Sequence, residues 1–115
     1  MHESFSYFGK RPTTPHELIE KVEDFVRKDL EGRFKDEFVF DPIIANPELD
    51  WWGDEFIHIY IIFDGDQKKL DPRWTKGIER RLLEHLPERE WPPSTPGHSF
   101  ISKSEWSKIY KEQIP

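Results

Sequence analysis

Asp64-Gly65-Asp66 closes the most hydrophobic run of the chain, GDEFIHIYIIFDGDQKKLDPRW (Gly53 to Trp74). Two carboxylates at i and i+2 could share a divalent cation, and Mg²⁺ takes such hard oxygen ligands. A metal-dependent phosphoryl or nucleotidyl transferase built on Asp64 and Asp66 would also need to hold phosphates, with a Gly-rich turn presenting free backbone N–H groups. The six glycines lie singly at Gly9, Gly32, Gly53, Gly65, Gly77 and Gly97, and no Gly-Ser pair or P-loop precedes the acidic strand. The competing structural reading is simple: Asp64 ends a strand and Gly65 supplies a permissive turn.

A second group is basic. Lys69, Arg73, Lys76 and Arg80 recur at helical steps, with Lys68 and Arg81 nearby. Such a stripe could meet phosphates and make the chain an RNA-binding module. Glu79 and Glu84 dilute it, and an amphipathic helix needs a solvated face in any case. The formal net charge of −6 further disfavours nucleic acid and fits a basic partner better.

Histidines and aromatics supply the remaining candidates. His2, His16, His58, His85 and His98 are scattered, and no pair has metal-ligand spacing. His58, beside Tyr60 on a strand, is the one histidine worth testing as a base, set against an ordinary half-buried or interface role. Trp51 and Trp52 are adjacent, so on a strand they cannot both point into one core. They join Phe56, His58 and Tyr60 as a candidate partner-binding patch, unless an aromatic tail or the C-terminal helix covers them.

At 115 residues the chain should hold one core, with 35% hydrophobic residues offset by 15% aromatics. It contains no Cys, which excludes disulfides, thiolate metal sites and a Cys nucleophile. No apolar run reaches membrane-span length and MHESFSYFGKRP lacks a signal-peptide core, so a soluble cytoplasmic protein without membrane contact is expected.

The elements that must position these residues follow from periodicity. Residues 1–12 read as a flexible N-terminal tail, with Phe5, Tyr7 and Phe8 available to fold back or dock. Residues 13–115 read as a single α+β domain. Thr14-Pro15-His16-Glu17 carries capping-box grammar, and Leu18, Ile19, Val22, Phe25, Val26 and Leu30 give a helical face ending at Gly32. Glu37 to Ala45 reads as a strand whose Pro42 marks an edge or a bulge, followed by NPELDWWGDE as a connection. The next strand alternates Ile57, Ile59, Ile61 and Phe63 against Phe56, His58, Tyr60 and Ile62, which suggests helices on one side and a partly covered second side. Asp71-Pro72 opens a second helix through Trp74, Ile78, Leu82 and Leu86, stopped by Pro87. Ser99 to Ser102 can add a short strand, and Ser102 with Glu105 starts a short helix through Trp106, Ile109 and Tyr110.

The run GDEFIHIYIIFDGDQKKLDPRWTKGI, followed by SFISKSEW, resembles small bacterial proteins encoded beside helical HEPN-type proteins in toxin–antitoxin-like pairs. The resemblance spans Gly53 to Trp106 with a gap, about half the chain. It implies a partner-binding role with a HEPN ribonuclease-like protein as the candidate partner. The minimal nucleotidyltransferases paired with toxins differ, since they require a Gly-Ser motif before the acidic pair.

The expected fold is therefore α+β, a small antiparallel sheet with helices packed mainly on one face, in the order α-β-β-α-(β)-α. The leading expectation for function is a non-catalytic, antitoxin-like interaction module without a cofactor. The alternatives are a Mg²⁺-dependent transferase using Asp64 and Asp66, and an RNA-binding module using the basic stripe.

Overall fold

The computed structural model describes residues 14–86 and 91–110, the side chains of 109 and 110 excepted. The N-terminal tail, with Phe5, Tyr7 and Phe8, lies outside the described residues, as does Pro87.

The first helix, α1, covers His16–Phe34 and buries Leu18, Val22, Val26, Leu30 and Phe34, one residue per turn. It opens without the expected capping box: Pro15 is the N-cap and no side chain caps it. Thr14 instead turns to Glu55, whose carboxylate accepts both its N–H (3.1 Å) and its hydroxyl. Glu55 is buried, and a buried carboxylate needs donors more than a helix terminus needs a side-chain cap. Nor does α1 stop at Gly32. Keeping a glycine inside a helix costs about 1 kcal/mol, while burying a phenylalanine is worth roughly 1.5–3 kcal/mol, so the helix runs on to seat Phe34. Lys35, at φ 49°, then reverses the chain, and a 3₁₀ turn over Lys35–Glu37 follows.

Strand β1 spans Val39–Leu49 and pairs antiparallel with β2, Glu55–Asp64. The register shifts between Phe40 and Ile43, so Asp41-Pro42 forms a bulge, and β1 is an edge strand. Pro42 thus satisfies both expectations for a strand proline. The strand runs four residues beyond Ala45, and the segment expected to be a long connection shrinks to a turn over Asp50–Asp54. Asn46 and Pro47 are tolerated within β1 because an edge strand leaves alternate N–H groups without a ladder partner. One outward N–H, that of Ala45, donates to Glu23 of α1 at 2.9 Å, which helps shield the edge.

The third strand, β3, covers Gly97–Ser102 and runs parallel to β2, giving the order β1-β2-β3. The α+β class with a small sheet holds, and the sheet is mixed rather than wholly antiparallel. Ile57, Ile59, Ile61 and Phe63 of β2 face the helices. Phe34, Phe38, Phe40 and Phe63 continue that core as a chain of ring contacts with centroids 5.2–6.0 Å apart.

Beyond β2, a 3₁₀ turn over Gln67–Lys69 leads to α2, Pro72–Thr75, and then to α3, Ile78–His85. The single helix expected from Asp71-Pro72 is thus two, broken at Lys76–Gly77. The break leaves the apolar face intact: Ile78 and Leu82 are buried, with Trp74 and Leu86 packed against the core. Two ion pairs fix these helices to α1, Arg33 with Asp71 (3.0 Å) and Arg81 with Asp29 (3.1 Å). The Arg81 guanidinium lies 3.9 Å from the Trp74 ring centroid, which adds a cation–π contact to the second.

The other face of the sheet is covered at one end. Ile62, expected on a partly open side, is fully buried, and its parallel neighbour Ile101 is nearly so. Helix α4, Lys103–Glu105, packs beside β2 there and continues as a π-helical turn, Trp106–Tyr110. Ser102 caps it, accepting the Glu105 N–H at 3.2 Å. Among the described residues no helix is long and apolar enough to cross a membrane.

Gly65 is fixed by contact as well as conformation. Its φ is 153°, and a Cβ there would sit 2.5 Å from the Phe38 ring and 3.0 Å from the Glu37 carbonyl oxygen. Gly65→Ala should therefore lower stability by about 1–3 kcal/mol in urea denaturation. A loss within about 0.5 kcal/mol would mean that the turn does not hold this conformation in solution.

Candidate functional site

The structure separates the sequence candidates into three regions. The first is the Asp64-Gly65-Asp66 turn. Both carboxylates are exposed, and Asp66 caps the following 3₁₀ turn by accepting the Lys68 N–H at 3.1 Å. Among the described residues no group of three His, Asp or Glu side chains is placed to hold a metal ion. Asp66→Ala should cost about 1 kcal/mol, the usual loss of a capping side chain, and calorimetric titration with MgCl₂ should show no heat beyond dilution. Mg²⁺ binding that D66A abolishes would restore the transferase reading.

The second region is the basic stripe. Lys69, Arg73, Lys76 and Arg80 are all exposed, spread over the 3₁₀ turn, α2 and α3. Arg81 is withdrawn from it by Asp29 and Trp74. Lys76 and Arg80 share a cleft of ≈ 590 Å³ with Glu79, Leu83, Glu84 and Thr95. Two acidic neighbours oppose any anion there, and Arg80 already pairs with Glu84 at 3.6 Å.

The third region is the free part of the sheet face with the hairpin that ends it. Phe56, His58 and Tyr60 project together because β2 is regular, and all three are half-buried. Their rings form a row, with centroids 6.1 Å apart from Phe56 to His58 and 4.5 Å from His58 to Tyr60. Polar neighbours hold the row. The Tyr60 hydroxyl donates to Glu48 Oε2 (2.6 Å), which also accepts from Asn46 Nδ2 (3.1 Å). His58 Nε2 meets Ser99 Oγ at 2.8 Å.

A serine hydroxyl on an imidazole nitrogen is the start of an acyl-transfer site, which also requires a group that orients the ring through the other nitrogen. Among the described residues no carboxylate bonds His58 Nδ1; that nitrogen lies against Gly97, 3.5 Å from where a Cβ would stand. The pair joins β3 to β2, and positioning is the role its geometry supports. Sequence reasoning missed Ser99 and Glu48, since their placement depends on strand register. The His98–Glu79 pair, linking β3 to α3 behind the sheet, was missed for the same reason.

At the end of the face stands the turn. Asp50 organises it: Oδ1 accepts the N–H groups of Trp52 and Asp54, both at 2.9 Å, and Oδ2 accepts the Ser94 hydroxyl at 2.7 Å. Gly53, at φ 85°, closes it. Trp51 and Trp52 are 88% and 79% exposed, so neither is covered by the C-terminal helix. Two indoles thus stand in solvent on a turn that is itself hydrogen-bonded in place.

The Ser94 hydroxyl, then the backbone N–H of Asp54, hold the Asp50 carboxyl below its ordinary range against an opposing contribution from burial. A carboxyl whose pKa is lowered on folding stabilises the fold above its unfolded value, about 3.9, and that stability is lost as pH falls through the folded value. Wild type should therefore melt above D50N near neutrality, with the gap closing below about pH 4. A gap independent of pH would mean that the Asp50 charge does not hold the turn.

No protein-family model, curated protein or solved structure matches the chain.

Proposed function

We propose that this chain is a non-catalytic protein-interaction module of the cytoplasm, an antitoxin-like regulator whose partner is a HEPN-type protein. The observation that carries the reading is the pair of solvent-exposed indoles on an ordered turn, continuous with the Phe56–His58–Tyr60 row. Exposed tryptophans cost solubility, and they dominate binding energy where partners meet. The turn is pre-organised by Asp50, so docking there does not require ordering a loop, which lowers the entropic cost of association. The bonds from Glu48 and Ser99 likewise fix Tyr60 and His58 in advance.

No observation favours the alternatives equally. Asp66 is used as a cap, and the basic stripe shares its cleft with Glu79 and Glu84. The test is to purify the tagged chain from its native host and identify any stoichiometric companion. A HEPN-type companion retained by wild type and lost by the folded W51A/W52A variant supports the reading. Retention by that variant would move the partner site elsewhere.

A further inference from the structure

The charges of this chain are segregated along its length. Between Lys35 and Lys68 there is no Lys or Arg, while the same stretch carries nine Asp and Glu, among them Glu48, Asp50, Asp54 and Glu55. The chain as a whole has 17 basic and 23 acidic residues, so everything outside that stretch is net basic. The β1–β2 hairpin is consequently an acidic arm, and the exposed indoles sit at its tip. Two of the four carboxylates around the tip are committed internally, Asp50 to the turn and Ser94, and Glu55 to Thr14. The other two are available. Asp54 is exposed, and Glu48 receives both of its hydrogen bonds on Oε2, leaving Oε1 to accept from outside.

We infer that the hairpin tip takes an arginine-bearing protein segment, with a guanidinium seated on Trp51 or Trp52 and ion-paired by Asp54 and Glu48. This deepens the interaction-module reading and rests on it. An indole face attracts a cation through its quadrupole. Arginine suits the site better than lysine because its planar group can stack on the ring while its N–H groups meet a carboxylate. The arm contains no cation that would repel such a segment or satisfy the two carboxylates first. The molecule uses the same chemistry inside its own fold, where Arg81 lies over Trp74 and pairs with Asp29.

The probes are three synthetic peptides of alternating leucine and a variable residue: arginine, lysine, or the neutral isostere citrulline. Binding is followed in ¹⁵N-labelled full-length protein through the indole N–H signals of its five tryptophans. The arginine peptide should move the Trp51 and Trp52 signals and leave the other three in place. Affinity should fall in the order arginine, lysine, citrulline. E48Q/D54N should weaken the arginine peptide by about tenfold, as should raising salt from about 0.05 to about 0.3 M. Equal binding of the citrulline peptide, or shifts confined to the other tryptophans, would overturn the inference. If a captured companion is lost by W51A/W52A but is indifferent to salt and to E48Q/D54N, the tip is an apolar dock: the interaction reading stands and this inference fails. Self-association of wild type at low salt that both W51A/W52A and E48Q/D54N remove would support the inference and identify the arginine-bearing segment as the Lys69/Arg73/Lys76/Arg80 stripe of a second copy.

Discussion

Ile59→Ala should lower the unfolding free energy by about 2–5 kcal/mol, the range for deleting a fully buried branched side chain and leaving part of its volume empty. Ile59 has no exposed surface and lies at the centre of β2, between Ala45 of β1 and His98 of β3, facing the helices. Relaxation into the space is limited because sheet neighbours flank it on both sides. Ile62 provides the comparison. Its alternation places it on the opposite face, which the sequence suggested was only partly covered. Since Ile62 is equally buried, Ile62→Ala should fall in the same range. Urea denaturation of the two variants decides the point. A loss at Ile62 below about 1 kcal/mol would mean that the cover over it opens readily in solution.

Trp51→Ala combined with Trp52→Ala should weaken binding of the native companion by about 2 kcal/mol or more, the level expected of aromatic hot spots. The effect on the isolated protein should be small, because both side chains stand almost wholly in solvent and the turn is held by Asp50 and Gly53. Thermal melts should coincide within about 2 °C, consistent with a stability change of a few tenths of a kcal/mol. Tyr60 requires a subtler variant. Its hydroxyl is bonded to Glu48 and its ring packs on His58, so Tyr60→Ala removes internal as well as external contacts. Tyr60→Phe isolates the hydroxyl and should leave binding through the ring unchanged. Normal binding by W51A/W52A, measured calorimetrically with the purified companion, would contradict the assignment of the tip.

How much of this was legible in advance depended on whether the physics was local. The two faces of β2 could be read directly, because side chains alternate and Ile57, Ile59, Ile61 and Phe63 differ in kind from Phe56, His58 and Tyr60. The apolar spacing of α1 and the bulge at Pro42 were local in the same sense. The end of α1 was misjudged because the burial of Phe34 outweighs the preference of Gly32. The extent of β1 was misjudged because Asn46 and Pro47 carry loop propensities that an edge strand tolerates. The parallel direction of β3 and the partners His58–Ser99 and Tyr60–Glu48 could not be read, since each depends on how distant segments come into register. The candidate patch was legible as residue types, while its rigid base and its carboxylate surround were not.

The mixed sheet also sets an order of assembly. Strands β1 and β2 are joined by a short turn, whereas the contact between His58 and Ser99 spans 41 residues of sequence. Closing a short loop costs less chain entropy than closing a long one, and β-hairpins form within microseconds. The acidic hairpin should therefore be in place before β3 arrives. Until it does, β2 is a bare edge, with Ile62 uncovered and a row of backbone groups unpaired, the arrangement that recruits strands from other chains. The six carboxylates of the hairpin, Asp41, Glu48, Asp50, Asp54, Glu55 and Asp64, then have a role before any partner is met. Like charges on two such nascent hairpins repel, and that repulsion keeps newly made chains apart while the third strand is still finding its register.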